Sequence, residues 1–241
     1  MFDHVGIRVT DSAASARFYQ TVLSVVGIER TASEGWIEEW SDFALSPPDA
    51  EHPVTRGLHI GFVAPTRELA DEFWRAGTEA GYRDDGEPGP RPEYGPDYYG
   101  AFLLDPDGNS AEAVHHDSLP SDAVIDHVWI RVVDVAASKR FYETIAPWSG
   151  FDLKDEEPGR AHFSAGDQSF SVVDGTPTEN LHLAFGASDN TIVDEFHRAA
   201  TAAGHRDNGA PGERAIYHPG YYGAFVLDPD GNNVEVVNHN R

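Results

Sequence analysis

Tyr98-Tyr99-Gly100-Ala101-Phe102-Leu103-Leu104-Asp105-Pro106-Asp107-Gly108-Asn109 returns as Tyr221-Tyr222-Gly223-Ala224-Phe225-Val226-Leu227-Asp228-Pro229-Asp230-Gly231-Asn232. The second stretch lies 123 residues after the first (221 − 98 = 123), and the same offset relates residues far from it. Phe2-Asp3-His4-Val5 becomes Ile125-Asp126-His127-Val128, His59 becomes His182, and Glu112 becomes Glu235. A repeat this long exceeds a solenoid unit and points to two whole domains related by duplication. For a chain of 241 residues that means two domains of about 120 residues each.

Hydrophobic patterning divides each copy again. Val5, Ile7 and Val9 alternate with His4, Gly6 and Arg8, the period of a half-buried strand. Ala14, Phe18, Val22 and Val25 follow at helical spacing, between a cap at Thr10 or Asp11 and a stop at Gly27. Residues 35–46 read as a hairpin, with strands at 36–40 and 43–45, broken off by Pro47, Pro48 and Pro53. The series then restarts. A strand at 58–62 precedes a helix through Leu69, Phe73, Ala76 and Ala80, capped near Thr66 and closed by Gly81. A loop rich in glycine and proline over 86–96 leads to strands at 99–104 and 110–115, with Asp105-Pro106-Asp107-Gly108 as the turn between them.

The second copy repeats the order. A strand at 126–133 precedes a helix at 135–148, whose last turn Pro147 should disturb, and strands near 161–165 and 169–173 follow. A strand at 181–185, a helix at 190–203 and strands at 222–227 and 233–237 complete it. The expected fold is α+β: four strand–helix–strands modules at 1–57, 58–117, 124–180 and 181–241. They pair into domains 1–117 and 124–241, joined by a short linker at 118–123.

Composition narrows the function. Apolar residues make up 40% and aromatic residues 11%, enough for a core in each half. There is no cysteine, which removes disulfides, thiolate ligands and a cysteine nucleophile. The net charge of −24 argues against nucleic acid as a partner, since phosphates need a basic face. The scattered acids read as a solvated surface. No apolar stretch reaches membrane-spanning length, and the first residues lack the basic-then-apolar pattern of a secretory signal. A cytoplasmic protein that acts on a small molecule is expected, with no membrane partner.

Strand alternation puts His4 on the face opposite Val5, Ile7 and Val9, and His59 on the face opposite Leu58, Ile60 and Phe62. Glu112 opposes Ala111 and Ala113, and Glu235 opposes Val234 and Val236. If the apolar faces cover the helices, the His and Glu residues share the other face. Two imidazoles and one carboxylate hold a divalent metal from one side and leave positions open for water or substrate oxygens. His4, His59, Glu112, His127, His182 and Glu235 are therefore the candidate ligands, for one metal per domain; their grouping within or across the copies cannot be read from the sequence.

Asp-His-Val opening a strand, Leu-His-x-x-Phe opening the next module and Asp-Pro-Asp-Gly-Asn-x-x-Glu closing it occur in both copies. Together they resemble the vicinal oxygen chelate superfamily over nearly the whole chain. That superfamily includes glyoxalase I, type I extradiol dioxygenases, fosfomycin-resistance transferases and bleomycin-binding proteins. The resemblance implies paired βαβββ modules whose U-shaped mixed sheets surround Fe(II), Mn, Ni, Co or Zn at the six positions above, and it is compatible with a homodimer. Glyoxalase I usually adds an acid from the last strand of the first module. Here that strand is Phe43-Ala44-Leu45, or Phe170-Ser171-Val172 in the second copy, and only Asp42 adjoins it.

That departure counts against glyoxalase I and resembles the three-ligand site of extradiol dioxygenases and fosfomycin transferases. Because an Fe(II) site with an open face can chelate substrate and still admit O₂, ring-cleaving dioxygenation is placed slightly ahead of the metal-dependent glyoxalase, lyase, isomerase and thiol-transferase alternatives. The other alternative is a protein that sequesters a drug without catalysis, which the aromatic content would suit. His162 and Glu39 are equivalent in the two copies (162 − 39 = 123) and are candidate acid–base residues. Tyr98, Tyr99, Tyr221 and Tyr222 are candidates to line the site or donate to a bound oxyanion, with Tyr99 and Tyr222 placed among the catalytic candidates. Arg8 and Arg131 share the strand face of His4 and His127 and are candidates for an anionic substrate group. The Asp-Pro-Asp-Gly-Asn turn is read as structural. The remaining histidines, among them His52, His115, His116 and His218, read as surface residues.

Overall fold

The structure, a computed structural model, describes residues 1–34 and 36–241. Its elements run β1 (Phe2–Arg8), α1 (Ser12–Ser24), β2 (Ala32–Glu34), β3 (Ile37–Trp40) and β4 (Phe43–Ser46), then β5 (His59–Val63), α2 (Arg67–Glu79), β6 (Arg83–Pro90), β7 (Tyr99–Leu104) and β8 (Ser110–His115). The same order follows as β9 (Ile125–Val132), α3 (Val135–Ser149), β10 (Asp152–Glu157), β11 (Arg160–Ala165) and β12 (Gln168–Asp174). The last module is β13 (His182–Gly186), α4 (Asn190–Ala202), β14 (Arg206–Glu213), β15 (Tyr222–Leu227) and β16 (Asn233–Asn238). The βαβββ module thus occurs four times, and its strands form two mixed eight-stranded sheets.

Each helix starts where a side chain satisfies its first free amides. The Asp11 carboxylate accepts from the Ala14 amide and Asp134 from that of Ala137, while Thr66 and Asp189 cap α2 and α4 in the same way. Pro147 lies inside α3, which continues to Ser149 and ends at Gly150 in the left-handed conformation. A proline one turn from the end removes a single backbone bond, so the helix runs past it.

Four strands have no counterpart in the sequence reading: β2, β6, β10 and β14. All four are sheet edges. The segment read as a loop from residue 86 begins inside β6. An edge strand tolerates proline and glycine because one row of its backbone groups needs no partner. β6 accommodates Pro88 and Pro90 with register shifts near Gly86 and Gly89 against β7. The predicted start of the first hairpin at Gly35 lies outside the described residues.

By contact density the chain forms two compact units, Gly6–Trp129 and Met1–Val5 together with Ile130–Arg241. In the first, β5 lies between β8 and β9, followed by β7 and β6. In the second, β13 lies between β16 and β1, followed by β15 and β14. Each helix pair covers the apolar face of its unit. Phe18, Tyr19 and Val22 of α1 are fully buried, and Tyr19 packs on Phe43 and Phe62 at ring-centroid distances of 4.7 and 6.1 Å. Phe141, Tyr142 and Ile145 of α3 do the same against Phe163 and Phe170. Among the described residues, no helix is long and apolar enough to cross a membrane.

The Asp-Pro-Asp-Gly-Asn turn ties these layers together. Asp105 is buried and accepts from the Tyr19 hydroxyl, the Asp107 and Asn109 amides and the Asn109 side chain. The Asn109 carboxamide accepts from the Leu58 amide and donates to the Thr55 carbonyl. The turn before β8 therefore fixes the chain just ahead of His59. In the other unit Asn232 accepts from the Leu181 amide, just ahead of His182.

Candidate metal centres

In the unit Gly6–Trp129, β5 carries the centre of the site and its neighbours carry the flanks. Gly61 pairs with Glu112 on β8 and with His127 on β9. Residues side by side across a sheet point to the same face, and His59, two residues from Gly61, shares it. His59 Nε2 lies 3.0 Å from Glu112 Oε2 and 3.2 Å from His127 Nε2, and His127 Nε2 lies 3.3 Å from Glu112 Oε2. In the other unit Ala184 pairs with Glu235, and β1 brings His4 alongside β13. His182 Nε2 lies 3.1 Å from Glu235 Oε2 and 3.0 Å from His4 Nε2, and His4 Nε2 stands 3.9 Å from Glu235 Oε2.

The two groups of three, His59–Glu112–His127 and His4–His182–Glu235, each offer ligand atoms within 4.8 Å of one another. The sequence copies do not each supply a complete set. β5 pairs with β9 and β13 with β1, so the first histidine of each copy joins the second histidine and the glutamate of the other.

The donor set fits a metal ion. Atoms bonded at 2.0–2.2 Å to one cation and occupying adjacent corners of its coordination polyhedron are about 3.0–3.4 Å apart, the spacing seen here for every pair but His4–Glu235, which stands at 3.9 Å. The far nitrogen of three of the four rings, those of His127, His4 and His59, faces a group that can accept from it, as metal-bound histidines require, while His182 Nδ1 faces the Asn233 amide donor. His127 Nδ1 donates to Asp126 Oδ2 at 2.7 Å and His4 Nδ1 to Asp3 Oδ1 at 2.8 Å. His59 Nδ1 lies 3.1 Å from Ser110 Oγ, and Asn233 Nδ2 lies 2.8 Å from His182 Nδ1. His127 and Glu112, 3.3 Å apart, share a proton.

Electrostatics reflects that sharing. Burial alone would push His127 down, but hydrogen bonds to Asp126 and Glu112 outweigh it and raise the imidazole to about 10. Burial would raise Glu112, yet the hydrogen bonds from His127 and His59 hold it at about 2. Glu235 is pushed up by burial to about 7, against the charge of His4 and the Tyr221 hydrogen bond.

Each glutamate is held by its second oxygen. Tyr98 Oη donates to Glu112 Oε1 and Tyr221 Oη to Glu235 Oε1, both at 2.8 Å. Burial, then the facing glutamate, keeps both phenols protonated, well above the usual tyrosine range. The glycine of Tyr-Tyr-Gly is required for this. A Cβ on Gly100 would fall 2.3 Å from Glu112 Oε1, and one on Gly223 would fall 2.4 Å from Glu235 Oε1.

The units differ in access. The side chains of His59 and His127 are 11% and 6% exposed, those of His4 and His182 24% each. Trp129 packs on His59 at 5.6 Å, whereas the residue 123 positions earlier (129 − 123 = 6) is Gly6.

The other expected site residues are distributed as follows. The Tyr99 and Tyr222 hydroxyls donate to Asp71 and Asp194, not to the glutamates. Their side chains project from β7 and β15 toward α2 and α4, and the preceding Tyr98 and Tyr221 take the place in the site. Arg8 donates to the Pro47 carbonyl and lies 3.9 Å from Asp49, while the Arg131 side chain packs on Gly175. His162 Nδ1 lies 3.1 Å from Ser171 Oγ on β12, and Glu39 is a half-buried residue of β3. Asp42 accepts from the Val124 amide.

His52 is a surface residue, paired with Asp49. His116 is not: its side chain is 18% exposed and donates to Asp126 at 3.0 Å. Asp3, Asp126, Gly100, Gly223 and His239 are residues of the site that the sequence reading did not single out; Tyr98 and Tyr221 it named beside Tyr99 and Tyr222, and His116 it read as a surface residue. All recur at the 123-residue offset, which was the signal available.

The family model described as Glyoxalase/Bleomycin resistance protein/Dioxygenase superfamily matches residues 1–113 and 124–236. No curated protein matches the chain. Among solved structures, glyoxalase I from Zea mays is 21% identical with a TM-score of 0.71, over 99% of this chain and 92% of its own. A candidate dioxygenase from Bacillus subtilis subsp. subtilis strain 168 is 13% identical with a TM-score of 0.68, over 100% of this chain and 85% of its own. At these identities the likeness is one of fold.

Proposed function

The chain belongs to the glyoxalase/bleomycin resistance protein/dioxygenase superfamily, and on that premise we propose that it is a divalent-metal-dependent enzyme acting on a small substrate with two neighbouring oxygens. The reading rests on one observation above all: in each unit two imidazole nitrogens and a carboxylate oxygen converge on one point. His59, Glu112 and His127 would hold one metal, and His4, His182 and Glu235 the other. A cation bound there supplies Lewis acidity toward two substrate oxygens.

The chain's own residues have separate tasks. Tyr98 and Tyr221 hold the glutamate rotamers, so that one oxygen faces the site while the other is occupied. Asp126 and Asp3 orient the His127 and His4 rings with Nε2 inward. The four imidazoles and two carboxylates leave one side of each centre to the substrate. We assign proton acceptance from a substrate hydroxyl to His162 or Glu39, which stand at equivalent positions. Arg8 and Arg131 remain the proposed partners of an anionic substrate group.

Ring-cleaving dioxygenation ranks slightly ahead among the reactions, because each group offers three candidate ligands among the described residues, a set whose open face would chelate a substrate with two neighbouring oxygens and with Fe(II) still admit O₂. Lyase, isomerase or thiol-transfer chemistry ranks next. The test is anaerobic reconstitution with Fe(II), followed by O₂ uptake over a panel of catechols, with Glu112→Ala and Glu235→Ala as controls. Oxygen consumption that both substitutions reduce supports the ranking. Turnover of a hemithioacetal under nickel, with no oxygen consumed by the iron form, reverses it. Failure to retain any metal favours a sequestering protein instead.

A further inference from the structure

His116 follows β8, and His239 stands at the same place after β16 (239 − 116 = 123). Neither belongs to a ligand set. His116 Nε2 donates to Asp126 Oδ1 at 3.0 Å, and the other oxygen of Asp126 accepts from His127 Nδ1. His239 Nε2 donates to Asp3 Oδ2 at 2.8 Å, and the other oxygen of Asp3 accepts from His4 Nδ1. Each aspartate therefore spans an outer and an inner imidazole, one oxygen to each.

The outer ring also touches the second arm of the site. His116 stacks on Tyr98 with ring centroids 5.8 Å apart and planes inclined by 19°. His239 meets Tyr221 edge-on at 5.3 Å. These are the tyrosines that hold Glu112 and Glu235. One outer histidine thus braces two of the three ligands in each unit, a histidine through the aspartate and a glutamate through the tyrosine. His239 is itself backed by His218, whose Nε2 lies 2.8 Å from His239 Nδ1.

We infer that His116 and His239 are positioning residues of the two metal centres, each fixing the aim of a histidine and a glutamate ligand at once. The inference rests on the metal-binding reading proposed above. Its physical basis is the soft terminal torsion of an aspartate, which has broad, roughly two-fold wells. With only one oxygen bonded, the carboxylate can turn and the ligand ring follows it. With both oxygens bonded, the aspartate is fixed and Nε2 of the inner ring points one way. Groups bonded directly to a ligand change metal affinity by about 10- to 100-fold when removed; His116 and His239 act one group further out, but on two ligands at once.

Each centre can be tested alone. Glu235→Gln leaves the centre that His116 braces, and Glu112→Gln leaves that of His239. Co(II) affinity and the visible Co(II) spectrum are measured in each background, with thermal unfolding of the metal-free protein alongside. In the Glu235→Gln protein, His116→Ala should weaken Co(II) binding by about 10- to 100-fold and alter the spectrum. His116→Gln, which restores an N–H toward Asp126, should recover most of the affinity. His239→Ala should have no effect there. In the Glu112→Gln protein the roles of His116 and His239 exchange. If His116→Ala does not fold, His116→Phe, which keeps the ring on Tyr98 without the donor, carries the same expectation. Unchanged affinity and spectrum in these variants, or equal losses from His116→Ala and His239→Ala in one background, would overturn the inference alone. No Co(II) binding by the unsubstituted protein would overturn both it and the metal reading.

Discussion

The His127 imidazole lies directly over Gly61, so close that a Cβ on Gly61 would fall 2.3 Å from His127 Cε1 and 2.6 Å from Nδ1. The missing methyl leaves room for the β9 histidine to come within 3.3 Å of the β8 glutamate above β5. Its counterpart in the other unit, Ala184 (184 − 61 = 123), carries the methyl, and there the histidine stands 3.9 Å from the glutamate where His127 stands 3.3 Å.

Gly61→Ala should therefore turn His127 out of line. Overpacking of this kind costs about 1–3 kcal/mol, read by chemical denaturation of the metal-free protein. Metal affinity at the His59–Glu112–His127 centre should fall by at least about tenfold, while the other centre keeps its own. A variant that binds two equivalents of Co(II) as tightly as the wild type would show that the close approach has no bearing on binding.

Tyr98→Phe and Tyr221→Phe should each loosen one glutamate. Both glutamates are 1% exposed, so the oxygen left without its phenol has no water to replace it. A cost of about 1–3 kcal/mol is expected for each, together with weaker metal binding at the matching centre. Tyr99→Phe and Tyr222→Phe should be close to neutral, because their hydroxyls bond the exposed Asp71 and Asp194. Activity measurements on the four variants check the distinction, and equal losses at Tyr98 and Tyr99 would contradict it.

That pair of tyrosines also shows where the sequence was legible and where it was not. The 123-residue offset marks both members of each pair equally, so repetition could not choose between them. The choice is made in three dimensions, by which side chain faces the glutamate on the neighbouring strand. The six candidate ligand positions were legible because strand alternation and the repeat agree at His4, His59 and Glu112, and the structure gathers them into two groups of three. Their grouping was not, since it depends on β5 pairing with β9 and β13 with β1, and nothing in the alternation of a strand names its neighbour. The strands β2, β6, β10 and β14 escaped for a related reason. Sheet edges bury little of either face, so Asp152–Glu157 shows no apolar alternation and Arg83–Pro90 has the composition of a loop. His116 and His239 could have been found, being repeated and paired with an aspartate that precedes a ligand.

The turn that positions His182 should leave a pH signature. Burial pushes Asp228 up to about 6, against hydrogen bonds from the Asn232 side chain and backbone. An unfolded chain ionises aspartate near 3.9, so between the two values the folded state binds more protons. The contribution of Asp228 is then fully present below about pH 4 and lost as the pH rises through about 6, by at most about 3 kcal/mol. Asp228→Asn mimics the protonated form and lacks this dependence. Denaturation of both proteins across that range should show the wild type losing stability relative to the variant as pH rises. A constant difference would contradict the assignment.

Metal binding itself should strengthen with pH, because the cation must displace the proton that His127 holds against Glu112. Competition titrations against a chelator whose own pH dependence is subtracted would measure this. Affinity that is flat or falls from mildly acidic to neutral pH would indicate that the imidazoles are not the ligands.

The grouping of ligands across the sequence copies is the most direct target. His4 is placed with His182 and Glu235, and His127 with His59 and Glu112. Metal content should be measured by elemental analysis on protein purified without an affinity tag and reconstituted with Co(II). The double variant His4→Ala/His182→Ala should disable one centre and retain one metal per chain. His4→Ala/His59→Ala should disable both and retain none. The reverse pattern would mean that each copy assembles its own site, and two metals in both variants would mean that these histidines bind none.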